Sequence, residues 1–494
     1  MPDLHDLEIM LGSRLPILVI ETYEEPRAVD LVCRSGFNLK KPVFTWSITE
    51  GLKRVDLEHS VPQRLTAELH DALGQIKSTE RAGIYLLCDA HPFLHDNPKN
   101  IRLLKEIAMK HDQVAHTMVL LSHSIDIPPE VRKYSGQMEL SMPNDQQLLH
   151  LVREEASHWS NQNRGEKVKT DSKTLDALVS NLRGLTYSDA RRLARGAIID
   201  DGAITEDDIP NLSKAKFQLM DMEGVLSFEY DTADFAEVGG LAKLKHWLEQ
   251  RKASFLSDDE EKKLDPPKGI MLLGIQGGGK SLAAKAVAGC WNVPLLRLDF
   301  GALLNKFIGE SEKNLREALK LADTMAPCVL WMDEIEKGIS VEENDNGTSK
   351  RLLGTLLTWM AERTTSVFIV ATSNDISRLP PELVRKGRLD EIFFVDLPDF
   401  EVRELIFEIH LKKRFVDPEK FDIERLALAA DGFSGAEIEQ AIVAGLYASH
   451  AQETELDTLH ILDEISNTSP LSVVMAEKIR QLRAWADERT VSAN

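Results

Sequence analysis

Short apolar runs separated by amphipathic stretches set the rhythm of the first third of the chain. "RLPILVIET", "VFTWSI", "AGIYLLCDA" and "TMVLLSHS" are each brief and rich in strand-forming residues. Between them, "VPQRLTAELHDALGQI" places its apolar residues at helical spacing. Buried strands alternating with helices predict βαβ units around a parallel sheet. Residues 171–199 read as two helices broken near Gly184. From Ala236 the alternation restarts, with "GIMLLG", "PLLRLDF", "PCVLWMD", "SVFIVATSN" and "EIFFVDLP" as strands. After Pro398 the pattern turns helical. "FDIERLALAADGFSGAEIEQAIVAGLYASH" is a helix pair broken at a glycine, and "PLSVVMAEKIRQLRAWADERT" is one more amphipathic helix.

The same phrases recur in the same order. "LLCDAH" parallels "LWMDEI", "VLLSHS" parallels "IVATSN", and "IPPEVRK" parallels "LPPELVRK". "LRGLTYSDARRLARGAI" parallels "AADGFSGAEIEQAIVAGL". Ordered matches about 250 residues apart predict two copies of one module, each an α/β core with a small helical lid. The expected layout is a first module over 1–205, a connection over 206–235, a second core over 236–400, its lid over 401–465 and a closing helix over 466–494.

Composition narrows the setting. With 494 residues, 43% hydrophobic and 28% charged, the chain has enough apolar material for several folded domains. A formal net charge of −21 argues against nucleic acid or anionic membranes as partners, and no basic run offsets it. The opening residues lack a secretory pattern, and the apolar runs are too short to span a bilayer. Cys33, Cys88, Cys290 and Cys328 stand singly, without metal spacing, as expected of free thiols in a reducing cytoplasm.

The chemistry concentrates in the second module. In "GIMLLGIQGGGKSLAAKAV", Gly274, Gly279, Lys280 and Ser281 have phosphate-loop spacing, after a strand and at the start of a helix. Gly277, Gly278 and Gly279 let backbone amides turn toward phosphate oxygens, and the helix start through Leu282 adds its positive end. Lys280 is expected at the β- and γ-phosphates, and Ser281 on Mg²⁺. About 50 residues on, Asp333 is expected to hold Mg²⁺ and Glu334 to polarise the attacking water. Asn374 ends the following strand, where a polar side chain can hold water or the γ-phosphate; read alone, it is a turn residue.

Over 236–465 these residues resemble the AAA family of ATPases, with tandem AAA-type modules as the implied fold. The usual Pro-Pro and Thr of the family's phosphate loop are here Ile275-Gln276 and Gly278. "LVRKGRLD" is similar to the family's paired arginine fingers. The resemblance implies that Arg385 and Arg388 reach a neighbouring subunit's γ-phosphate in a ring, commonly a hexamer. It also places the backbone of Val238 and Gly239 near adenine, and Gly435 and Ala436 of "GFSGAEIEQ" near the nucleotide. Phe307, Ile308 and Gly309 resemble the loop that lines the pore of AAA unfoldases; Phe307 read alone is equally a core residue. "SVEENDNGTSKR" resembles a second pore loop. Nearly the whole chain resembles the AAA ATPases first known as a chloroplast and cyanobacterial reading frame, which also occur in other bacteria.

The first copy departs from the pattern. "VIETYEEPRAVDLV" places Glu21, Glu24 and Glu25 where the phosphate loop belongs, and such carboxylates repel phosphate. Asp89 is kept, Ala90 replaces the hydrolytic Glu, Arg132 is kept, and Ser135 falls near the second finger. This module is expected to be degenerate and to bind no nucleotide. Two functions follow. One is an Mg-ATP-driven ring that remodels or threads a protein client, with the first module binding a partner, an adaptor or its own assembly. The other is an ATP-switched scaffold with slow hydrolysis as a timer.

Overall fold

The computed structural model describes all residues except 1, 57–60, 96, 200, 206, 221–224, 230–237, 257–264, 305–309, 340–347, 377–378 and 386. By packing, the chain forms two units: residues 1–155 with 184–192, and residues 156–183 with 193–494.

In the first unit the apolar runs become β1 (Ile17–Glu21), β2 (Val43–Ser47), β4 (Ile84–Cys88) and β5 (Thr117–Ser122). Two short strands join them: β3 (Gly51–Arg54) and β6 (Ser135–Met138). The sheet order is β3-β2-β4-β5-β1-β6, parallel except for the β2–β3 hairpin. Helices cover both faces. Trp46, Leu87 and Leu120 anchor one core layer, and Leu18, Leu86 and Val119 the other. The helix expected from Val61 begins only at Leu69, because Gln63 bridges to Leu52 and Arg64–Thr66 form a 3₁₀ turn.

The second unit is built on β7 (Leu226–Glu229), β8 (Gly269–Gly274), β9 (Leu295–Leu298), β10 (Cys328–Met332), β11 (Val367–Ser373), β12 (Glu391–Val395) and β13 (Val491–Ser492). They run β13-β12-β8-β11-β10-β9-β7, with only β7 antiparallel to its neighbour. Dropping the added strands leaves β2-β4-β5-β1-β6 in one unit and β9-β10-β11-β8-β12 in the other. Both arrangements place the second, third, fourth, first and fifth parallel strands in that order. The chain therefore carries tandem AAA-like α/β modules, the first degenerate in its site residues.

Two segments differ from the sequence expectation. The connection over 206–235 contributes the helix Asp208–Leu219 and strand β7. Phe217, Met220 and Phe228 pack on the second unit's core, so the helix and strand described here belong to its folded layers. The closing segment is two helices, Leu471–Val474 and Ala476–Ala486, followed by β13. Ile479, Leu482 and Ala486 bury against Leu273 and Phe394. The helix pair expected near Gly184 lies at Ser172–Leu182 and Tyr187–Ile199. The lid of the second module comprises the helices Phe400–Lys413, Ile423–Ala429, Gly435–Ala451 and Thr458–Asn467 around Phe407, Ile442 and Ile461.

Candidate active site

Strand β8 delivers the chain to the turn Ile275–Gly279, and the helix Lys280–Trp291 leaves it. Two glycines in the turn have left-handed backbones, Gly277 at φ 77° and Gly279 at φ 90°. A side chain at Gly277 would also strike Ser434 Oγ, 2.9 Å from its Cβ position. The turn thus requires glycine for conformation and for space.

Lys280 follows at once and is buried. Its ammonium donates to the carbonyls of Gly274 (3.0 Å) and Ile275 (2.8 Å). Burial pushes its pKa down to about 8, against the pull of Glu336, Asp333 and Glu334. Among the described residues it makes no ion pair. A buried cation held by two backbone carbonyls at the start of a helix, with no counter-ion in contact among the described residues, fits an anionic ligand.

The acids follow β10, and β11 supplies the hydroxyl that holds two of them. Thr372 Oγ1, buried on β11, donates to Asp333 Oδ1 at 2.7 Å and accepts the Glu334 N–H at 2.9 Å. Glu334 sits at φ 47°, a strained conformation for a non-glycine residue, and this one hydroxyl bridges both acids. Glu334 Oε1 accepts the Asn374 side-chain amide at 2.9 Å, and Oε2 pairs with the Lys337 ammonium. Glu336 is 6% exposed and accepts the Asn374 backbone N–H at 2.9 Å. Asp333 Oδ2 lies 3.4 Å from Arg297.

Lys280, Asp333, Glu334, Thr372 and Asn374 face a cleft of about 470 Å³. Its walls include Val238, Gly239, Gly277, Gly278, Gly279, Lys280, Ser281, Leu282, Asp333, Glu334, Asn374, Gly435 and Ala436. The lid reaches the loop directly, since Ala436 N–H donates to Gly277 C=O at 3.3 Å. Ser434 caps that lid helix in a reciprocal arrangement with Glu437.

Arg385 and Arg388 stand elsewhere. Neither lines the cleft; Arg385 is exposed, and the Arg388 guanidinium donates to the Glu382 carbonyl. Phe307, Ile308 and Gly309 lie outside the described residues, as do 340–347 of the second expected pore loop.

Other wall residues escaped the sequence reading. Thr372 precedes Asn374 by two, so strand periodicity puts both on one face, a signal that was present. Ile406, Ile409 and His410 of the first lid helix also line the cleft. Burial holds the His410 imidazole below its usual pKa, so it is neutral near neutral pH. Asn494 also lines the cleft, 253 residues from its partner Leu241. No local pattern announces such a contact.

In the first unit the corresponding place is filled from within. Ser122 Oγ donates to Asp89 Oδ1 at 2.7 Å, repeating the Thr372–Asp333 bond. Glu24 and Asp3, both buried, share Arg27 at 2.8 and 2.6 Å. Glu24 Oε1 also accepts Ser188 N–H at the start of the helix Tyr187–Ile199, and Arg27 stacks on Tyr187. Glu21 accepts Ile125 N–H and the Gln137 amide. Glu21 and Glu24, two of the three carboxylates expected to repel phosphate, are engaged by these internal donors.

The fold and the second unit's cleft define an ATP-hydrolysing enzyme of the phosphate-loop class. Residues 270–397 match the model of the ATPase family associated with various cellular activities (AAA). Residues 4–140 match the SpoVK-like AAA ATPase N-terminal domain, and 146–223 its second domain. The AAA domain-containing protein ycf46 of Guillardia theta is 36% identical over 489 residues, 97% of this chain and 94% of that protein. Its counterpart from Pyropia yezoensis is 34% identical over 493 residues, covering 98% and 97%. The proteasome-activating nucleotidase of Aeropyrum pernix is 34% identical over 272 residues, 52% of this chain and 65% of that protein. The chain belongs to the AAA ATPase family, among the ycf46 AAA domain-containing proteins.

Proposed function

We propose that this ATPase is an Mg-ATP-driven homo-oligomeric ring that remodels a protein client, with the first module as the partner-binding or assembly domain. The observation that carries it is the placement of Arg385 and Arg388 outside the cleft of their own chain. In the resembled family, arginines at these positions reach a neighbouring copy's γ-phosphate, and hexamers are the common ring. In this reading Gly277–Leu282 hold the phosphates, Val238, Gly239, Gly435 and Ala436 the rest of the nucleotide, and Asn374 the water or γ-phosphate. Glu334 accepts a proton from the attacking water.

The Ser281 hydroxyl and Asp333 carboxylate are hard oxygen donors that suit Mg²⁺, which would neutralise charge developing on the phosphates. Phe307, Ile308 and Gly309 grip the client. The partial likeness to proteasome-activating nucleotidases, whose name links nucleotide turnover to the proteasome, supports a protein client. A cytoplasmic location belongs to this reading. None of the four cysteines forms a disulfide, and burial pushes the Cys88 and Cys328 thiols up to about 12. Among the described residues no helix is long and apolar enough to cross a membrane.

One observation favours the ATP-switched scaffold instead. Glu334 has both oxygens engaged, by Asn374 and Lys337, an arrangement that suits slow turnover. Solution mass separates the readings. Glu334→Gln, which removes the base and retains ATP, is expected to assemble to about six protomers with Mg-ATP and to dissociate without it. A monomer under saturating Mg-ATP would leave both arginines as surface charge and favour the scaffold.

A further inference from the structure

We propose that Asn494, held in place by residues 491–493, forms part of the wall of the base subsite and is a positioning residue for nucleotide binding. The inference rests on the reading of the cleft as the ATP site, with Val238 and Gly239 at the base.

The backbone just after Val238 and Gly239 is left-handed, and at Leu241 it is strained. Gly240 is at φ 72° and Leu241, a bulky non-glycine residue, at φ 59°. Two consecutive left-handed residues persist only where the surroundings hold them. The hold comes from the far end of the chain. Val491 and Ser492 pair with Phe393 and Phe394 of β12. Ala493 is fully buried; its N–H donates to Phe394 C=O at 3.0 Å. Its C=O accepts the N–H groups of Lys243 (3.1 Å) and Leu244 (3.2 Å), in the first turn of the helix Ala242–Leu256. Those donors have no partner inside their own helix. Asn494 completes the strap, with its side-chain Oδ1 accepting the Leu241 N–H. The same oxygen lies 2.8 Å from where a Gly240 Cβ would stand, so the amide packs on the turn as well as bonding to it.

Strap and cleft are continuous. β12 runs on into Val395 and Asp396, which line the cleft with Asn494. Asn494 thus fixes the turn of Gly240 and Leu241. Its loss frees the base-contacting backbone while the phosphate loop, on β8, keeps its own bonds.

The test uses the full chain and two probes, ADP and inorganic tripolyphosphate, which has no base. Asn494→Ala is expected to weaken ADP binding and raise KM for ATP about five- to tenfold, with kcat within about twofold, the loss of one hydrogen bond. Tripolyphosphate affinity stays unchanged. Asn494→Asp keeps an acceptor for Leu241 N–H and is expected to recover most of the ADP affinity. Equal weakening of both probes would mean general loosening and overturn the proposal, as would unchanged ADP binding or an Asn494→Asp variant as weak as Asn494→Ala. Lys280→Ala serves as the separate check. If it binds ADP like the wild type, the cleft is not the nucleotide site, and both that reading and this inference fall.

Discussion

Lys280 combines burial, charge and absence of a counter-ion, and these make its behaviour pH-dependent. Burial holds the free ammonium at about 8, below its ordinary 10.5. A bound phosphate favours the charged form, so binding must raise that pKa and take up a proton where the free lysine is partly neutral. Calorimetry at pH 8–9 in buffers of different ionisation heat is therefore expected to show proton uptake with ADP. Affinity should fall as pH rises through about 8, by at most about tenfold per pH step, and Lys280→Arg should flatten that dependence. The loop, Lys280 and the acid pair were legible because their chemistry needs fixed local spacing. Thr372, Glu336 and Lys337 were less so. Their roles depend on which hydroxyl bridges two acids and which oxygen a neighbour engages, facts of three-dimensional register.

At the scale of elements, the strands over apolar runs were readable, since a buried parallel strand excludes polar residues from both faces. What the pattern concealed was where the helices of 156–223 pack. Lys216, on the helix Asp208–Leu219, donates to Arg183 C=O at 2.8 Å and Thr324 C=O at 2.6 Å. Arg183 caps one helix, and Thr324 ends the helix Glu310–Thr324 of the second core. One ammonium thereby neutralises the negative ends of two helices. In the sequence, this lysine looks like an exposed charge. Desolvation lowers its pKa from 10.5 to about 8. Between those values the unfolded chain holds the proton and the folded one has released it, so stability rises with pH. Lys216's contribution is fully present above 10.5 and is lost as pH falls through about 8. Relative to Lys216→Met, wild-type stability in denaturant titrations is expected to gain up to about 3 kcal/mol across that window. A constant difference would mean that the ammonium titrates normally.

For the whole molecule, the two sheets share one strand order, yet only one module retains phosphate-loop chemistry. The distinction lies in what fills the turn after the first parallel strand. After β8 it is three glycines and a buried lysine with no ion pair among the described residues. After β1 it is Glu24, bonded to Arg27 and to Ser188 N–H. Freeing that position for phosphate would cost the Arg27 pair and leave Asp3 and Glu24 as buried charges without their cation. We therefore propose that the first module keeps the fold and has given up the ligand. Calorimetric titration with ADP is expected to give one site per wild-type chain and none for Lys280→Ala. Arg27→Met is expected to lower stability by about 3 kcal/mol while the stoichiometry stays at one. A second site that survives Lys280→Ala and disappears in Arg27→Met would locate nucleotide in the first module and reverse this assignment.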